Sequence, residues 1–101
     1  MRTVEDILEE ITKLEGKDDK EAFKKFLEIS KLGSDSGDKY VQVTGLMNAA
    51  AIACKMEGYD LCLKMLTDAQ NMDEEIWTKY LQEEAHMSDM MRSLSNAGYL
   101  N

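Results

Sequence analysis

The sequence predicts an all-α protein, either five helices stacked as antiparallel hairpins or an irregular four- or five-helix bundle. Three observations point there. The chain has no proline and only six glycines in 101 residues, so little interrupts its helical runs. Its apolar residues recur at three- and four-residue steps instead of alternating. The one stretch that would suit a strand, Tyr40, Val41, Val43 and Thr44, has no second candidate to pair with and is read as helix.

The first helix carries Val4, Ile7, Leu8, Ile11 and Leu14 on one stripe. Thr3 is its expected N-cap, Glu5 and Asp6 suit the positive end of the helix dipole, and Gly16 can end it. A second helix follows Asp18 or Asp19, turns Ala22, Phe23, Phe26, Leu27 and Ile29 inward, and is expected to end at Gly33. The segment GSDSGD at 33–38 has turn formers and no apolar residue, so it is read as a flexible connector.

Helix three is expected from about Asp38 to Glu57. From Leu46 to Met56 only Asn48 and Lys55 interrupt its apolar residues, which marks a helix buried between neighbours. Helix four is placed from about Asp60 to Asn71. Helix five is placed from Asp73 to about Ser95, with Trp77, Tyr80, Met87, Met91 and Leu94 forming its stripe. The resulting organisation is one domain over 1–101, with a hairpin at 1–33, a second at 38–72 and a closing helix at 73–95.

Residues 45–72, GLMNAAAIACKMEGYDLCLKMLTDAQNM, carry a further pattern. Leu46 is large, Ala50 four positions on is small, Gly58 and Tyr59 mark the turn, and Cys62, Leu66 and Ala69 follow as small, large and small. This spacing resembles a tetratricopeptide (TPR) repeat, with the glycine one position late and the family's terminal proline missing. The resemblance implies a close helix pair with Ala50 facing Cys62, and a groove along the first helices of the stack. Val4, Ile7, Leu8 and Ile11, with Ala22, Phe26 and Ile29, resemble a looser repeat before it. A bundle dimerising through a Val4–Leu14 coiled coil is the rival arrangement.

Charge excludes some functions. The chain has 20 acids and 12 bases, a net charge of −8 and a pI near 4.6, which opposes nucleic acid and anionic membranes as ligands. No apolar run reaches the roughly 20 residues of a membrane span. The start, MRTVEDILEE, lacks the pattern of a secretory signal, so a cytoplasmic location is expected. Cys54 and Cys62 fall in apolar helical stretches and are expected as free thiols in a reducing compartment.

No catalytic constellation or metal site is predicted, and no cofactor is expected. His86 is the single histidine and lies far along the chain from Cys62, and the cysteine spacing is unlike that of zinc sites. The carboxylate doublets, such as Glu9–Glu10 and Glu74–Glu75, point about 100° apart on a helix and read as solvated faces. An enzyme would need a cleft joining His86 to a nucleophile such as Cys54.

The expected function is therefore a small, non-enzymatic interaction module, of an adaptor or chaperone kind. It would receive an amphipathic helix or peptide of a partner protein in a groove along helices one, three and five. Leu46, Asn48, Ile52, Lys55 and Trp77 are the expected partner-binding residues. Asn48 could bond a partner's backbone or cap groups within the bundle. The methionines could serve the groove or fill the core. An acidic inhibitor that blocks a nucleic-acid-binding site is the alternative. A chain of this length leaves much surface wet, so a second copy could also be a partner.

Overall fold

In the computed structural model, which describes residues 1–100, the chain folds into six helices: α1 (Val4–Lys13), α2 (Asp19–Ser36), α3 (Lys39–Lys55), α4 (Tyr59–Met72), α5 (Glu74–Glu83) and α6 (Ala85–Asn96). Among the described residues there is no strand, and no helix is long and apolar enough to cross a membrane. Side-chain caps start four of the helices. Thr3 forms a capping box with Asp6. Asp18, Asp38 and Asp73 accept from the backbone N–H groups of Glu21, Val41 and Ile76 at 3.0, 3.1 and 3.0 Å.

Two expectations are corrected. The GSDSGD segment is not a flexible connector, and the second helix does not end at Gly33. It runs on to Ser36, and only Gly37 and the N-cap Asp38 join α2 to α3. Gly37 takes φ 75°, which lets Asp38 N–H reach the Gly33 carbonyl at 2.8 Å and Gly37 N–H reach that of Ser34 at 3.3 Å. This pair of bonds closes the helix end, and Asp38 opens the next helix at once.

The second correction concerns the helix expected over 73–95. It is two helices, α5 and α6, divided at Glu84, whose backbone is extended at φ −103° and ψ 122°. No glycine or proline marks the break. It occurs where Tyr80 and His86, on either side, both bond Asn48.

Packing explains the order of elements. α2 and α3 make the most extensive pairing, and their backbones touch. A Cβ on Gly45 would lie 2.8 Å from the backbone nitrogen of Ser30 and 3.0 Å from its Cα. A Cβ on Gly33 would lie 2.9 Å from the carbonyl oxygen of Asp38 and 2.9 Å from the Cα of Gln42. Ser30 Oγ spans the same contact and donates to the Gln42 carbonyl at 2.7 Å. α3 is thereby held against α2 on one side. Its other sides bury Val43, Met47, Ala49, Ala50, Ala53 and Cys54 against Cys62, Met65, Leu66 and Ala69 of α4 and Met87, Met90 and Leu94 of α6. The radius of gyration, 13.0 Å, equals the roughly 13 Å of a globular chain of this length.

α3 ends differently from α2. Gly58 N–H bonds the Ala53 carbonyl at 2.8 Å and Glu57 N–H that of Cys54 at 2.9 Å, so the left-handed position falls on Glu57, at φ 63°. The glycine that comes one residue late in the sequence is the residue after that position.

α1 is held mainly by α2. Only its Ile7 is fully buried, and Leu8 is 44% exposed. Arg2 ties the two helices: its guanidinium donates to Glu10 at 2.6 Å and Glu28 at 2.5 Å, while Lys25 of α2 donates to Glu10 at 2.7 Å. These bonds, that of Arg2 first, lower the Glu10 carboxyl to about 2.

Gly45→Ala is expected to destabilise the fold by roughly 1–3 kcal/mol, because backbone atoms of Ser30 cannot yield to a new methyl group. Alanine's helix propensity, about 1 kcal/mol better than glycine's, does not rescue it. Urea melts of wild type and variant measure the difference. A second expectation concerns acid. A carboxyl held low in the folded state contributes stability that is complete above its ordinary value of 4.5 and is lost as pH falls toward about 2. The α1–α2 docking should loosen across that window, as amide exchange in α1 would show, and Glu10→Gln should loosen it at neutral pH.

Candidate partner-binding trough

α3 forms the floor of a trough. A recess of about 220 Å³ is lined by Val4 and Leu8 of α1, Phe26 and Ile29 of α2, the Tyr40–Asn48 part of α3, and Tyr80 and Glu84 beyond. A second, of about 490 Å³, is lined by Phe26, Asn48, Ala51, Ile52, Cys54 and Lys55 on one side and His86, Asp89, Met90 and Ser93 on the other. The two share Phe26 and Asn48, so they adjoin there. A third, of about 470 Å³, shares Tyr40 and Tyr80 with the first and adds Asp73, Glu75, Ile76, Lys79 and Glu83. From Tyr40 to Lys55 the floor extends roughly 22 Å at 1.5 Å per helical residue, about four turns of a facing helix.

Asn48 holds the far wall in place. Its Nδ2 donates to the Thr44 carbonyl and to Tyr80 Oη, both at 2.9 Å, and its Oδ1 accepts from His86 Nε2 at 2.7 Å. Both ends of the amide are thus used within the protein. The aromatic rings extend this tie: Tyr80 meets Tyr40 and His86 edge-on, with centroids 6.3 and 5.9 Å apart. Burial pushes the Tyr80 hydroxyl above its ordinary value, more than the Asn48 bond lowers it.

The structure brings together Asn48, Ile52 and Lys55 of the five residues singled out from the sequence. Ile52 is half-buried on the floor. Lys55 is exposed at the rim and paired with Asp19 at 3.3 Å. Leu46 and Trp77 lie elsewhere, half-buried against the core, and Trp77 Nε1 is buried without a hydrogen-bond partner among the described residues. Helical position explains their placement: two residues separate Leu46 from Asn48, a rotation of about 200°. Phe26, Tyr80, His86 and Met90 were not singled out as partner-binding residues, and nothing local in the sequence places them beside Asn48, since they come from other helices. Half of the eight methionines are buried: Met47, Met65 and Met87 in the core, and Met90 while edging the trough.

Cys54 and His86 line the same recess, the one juxtaposition that nucleophilic chemistry would need. At Cys54 burial outweighs the bonds of Cys62 and Ser93 that would lower the thiol. Burial pushes Cys54 up and Cys62 up to about 12, with the neighbouring Cys54 adding to the second shift. Cys54 Sγ faces the Met90 carbonyl at 3.8 Å, and His86 Nε2 is engaged with Asn48. Both cysteines are free thiols. Among the described residues no cluster of three or more His, Cys, Asp or Glu is placed to hold a metal ion.

Five carboxylates, Asp73, Glu75, Glu83, Glu84 and Asp89, line the adjoining recesses against two lysines, Lys55 and Lys79. Leu8 and Tyr40 stand 44% and 56% exposed along it. The trough is therefore apolar at its base and acidic at its rim. Comparison with protein-family models, curated proteins and solved structures returns no match.

The raised thiols carry a direct expectation. At pH 8 an aromatic disulfide reagent should modify both cysteines of the folded protein more slowly than those of the urea-unfolded chain, and Cys62 roughly a hundredfold or more so, because burial suppresses the attacking thiolate. Absorbance of the released thiol measures both rates. Rapid reaction of the native protein would show that the thiols are not buried as described.

Proposed function

We propose that this protein is a small interaction module without catalytic activity, which receives an amphipathic helix of a partner protein in the trough over α3. The observation that carries the proposal is the joining of an apolar floor to an acidic rim over about four helical turns. A partner helix would lay bulky apolar residues over Phe26 and Ile52 and direct Lys or Arg toward Glu75, Glu83, Glu84 and Asp89. The acidic field would raise the encounter rate with such a partner. The module needs no cofactor or metal, and the proposed place of action is the cytoplasm.

In this proposal α3 and α4 are a tetratricopeptide-like hairpin, and α5 and α6 close the stack. Ala50 and Cys62, both fully buried in the common core, support that reading, as does Tyr59 packed against the same core beside the turn. The role first considered for Asn48 changes. Its amide orients the wall instead of meeting the partner. The rival reading, an acidic inhibitor that imitates a nucleic acid, has less support. Lys13, Arg2, Lys25, Lys31, Lys64 and Arg92 each bridge a carboxylate and divide the acidic surface.

Ile52→Asp places an unpaired charge on the trough floor and should weaken a basic amphipathic helix by roughly tenfold or more. Trp77→Phe should leave binding unchanged. Fluorescence anisotropy with a labelled Leu/Lys helical peptide measures both. An unchanged affinity in a folded Ile52→Asp variant would refute the proposal.

A further inference from the structure

A second apolar recess lies outside the trough. It measures about 330 Å³ and is lined by Phe23, Ala53, Met56, Gly58 and Leu61, with Lys20 and Lys24 at its lip. It shares no lining residue with the trough. Met56 and Leu61 stand 42% and 46% exposed, a pair of large apolar side chains facing solvent at one recess. At Gly58 a Cβ would crowd the Ala53 carbonyl oxygen at 3.3 Å.

The lip is the informative part. Lys20 and Lys24 lie one turn apart on α2, and among the described residues neither forms an ion pair. Their neighbours on the same helix do: Lys25 bonds Glu10 and Glu21, and Lys31 bonds Asp35. In a chain with a net charge of −8, Lys20 and Lys24 are two adjacent ammonium groups left unpaired beside an apolar recess. Like charges four residues apart repel, so a bound carboxylate would relieve the free protein as well as gain an attraction.

We infer that this recess is a second docking site, for an acidic amphipathic segment of a partner protein. The segment places one bulky apolar side chain between Phe23, Met56 and Leu61, and an Asp or Glu one turn away meets Lys20 and Lys24. Charge complementarity selects this occupant. An anionic membrane fits poorly, because a bilayer is broad and sets the wider acidic surface against its headgroups, whereas a short segment meets only the recess and its two lysines. The two sites then select opposite signs, basic for the trough and acidic here, so one copy of the protein can join two different partners.

Two labelled helical peptides with identical leucine positions test this, one flanked by glutamates and the other by lysines. The glutamate peptide should bind and should weaken as salt rises from about 50 to about 500 mM. The double variant K20E/K24E, and separately Leu61→Asp, should each weaken it by roughly tenfold or more. All three positions are exposed enough to vary without unfolding the chain. Ile52→Asp should leave it unchanged, which separates failure of this site from failure of the trough. A glutamate peptide that does not bind, or that binds K20E/K24E as well as wild type, overturns the proposal. So does Lys20- and Lys24-dependent sedimentation with phosphatidylglycerol-containing vesicles, which would assign the recess to lipid.

Discussion

At Gly33 and Gly45 the main chains of α2 and α3 approach so closely that no side chain fits between them, and Ser30 reaches across to the Gln42 carbonyl. That contact governs the rest. With only Gly37 and Asp38 as the link, α3 must turn straight back along α2. Once pinned there, its remaining faces are offered to α4 and α6, and it becomes the buried axis of the molecule. Two glycines inside helices weaken each helix locally, and the close approach they permit offsets this by tight packing over the longest pairing in the fold.

Both candidate binding surfaces follow from α3 being central. The trough exists because α1 and α2 flank one side of α3 and the α5–α6 elbow flanks the other, with Asn48 setting the separation. The lysine-lipped recess exists where the start of α2 passes the α3–α4 turn. The thiols are buried for the same reason, at the end of α3 and the start of α4, where desolvation keeps them protonated. α1 stands apart from this economy. It adds one wall of the trough, and ion pairs at its exposed edge supplement the burial of Ile7.

Much of the helical content was legible in the sequence because the apolar period and the caps agree. Thr3, Asp18, Asp38 and Asp73 each start a helix where a side-chain oxygen can reach an unpaired N–H. Two features were not legible. Gly33 was read as a stop, although a glycine inside a helix also marks where another backbone passes, and Ser30 and Gly33 one turn apart were the available sign. The break at Glu84 has no local cause, since it depends on Asn48, thirty-six residues earlier, bonding both Tyr80 and His86. Of the trough, Asn48, Ile52 and Lys55 could be found because they interrupt or continue one helical face. Phe26, His86 and Met90 come from other helices, and periodicity within one helix carries no information about which helices meet.

Native-state hydrogen exchange tests the central contact most directly, because it reads the stability of each pairing separately. If the glycine contact holds the molecule together, the amides of Ile29 to Gly33 and of Gly45 to Ala49 exchange only when the whole chain unfolds, while those of α1 and α6 exchange earlier by local opening. Amides at the α2–α3 contact that open before those of α4 and α6 would contradict the account.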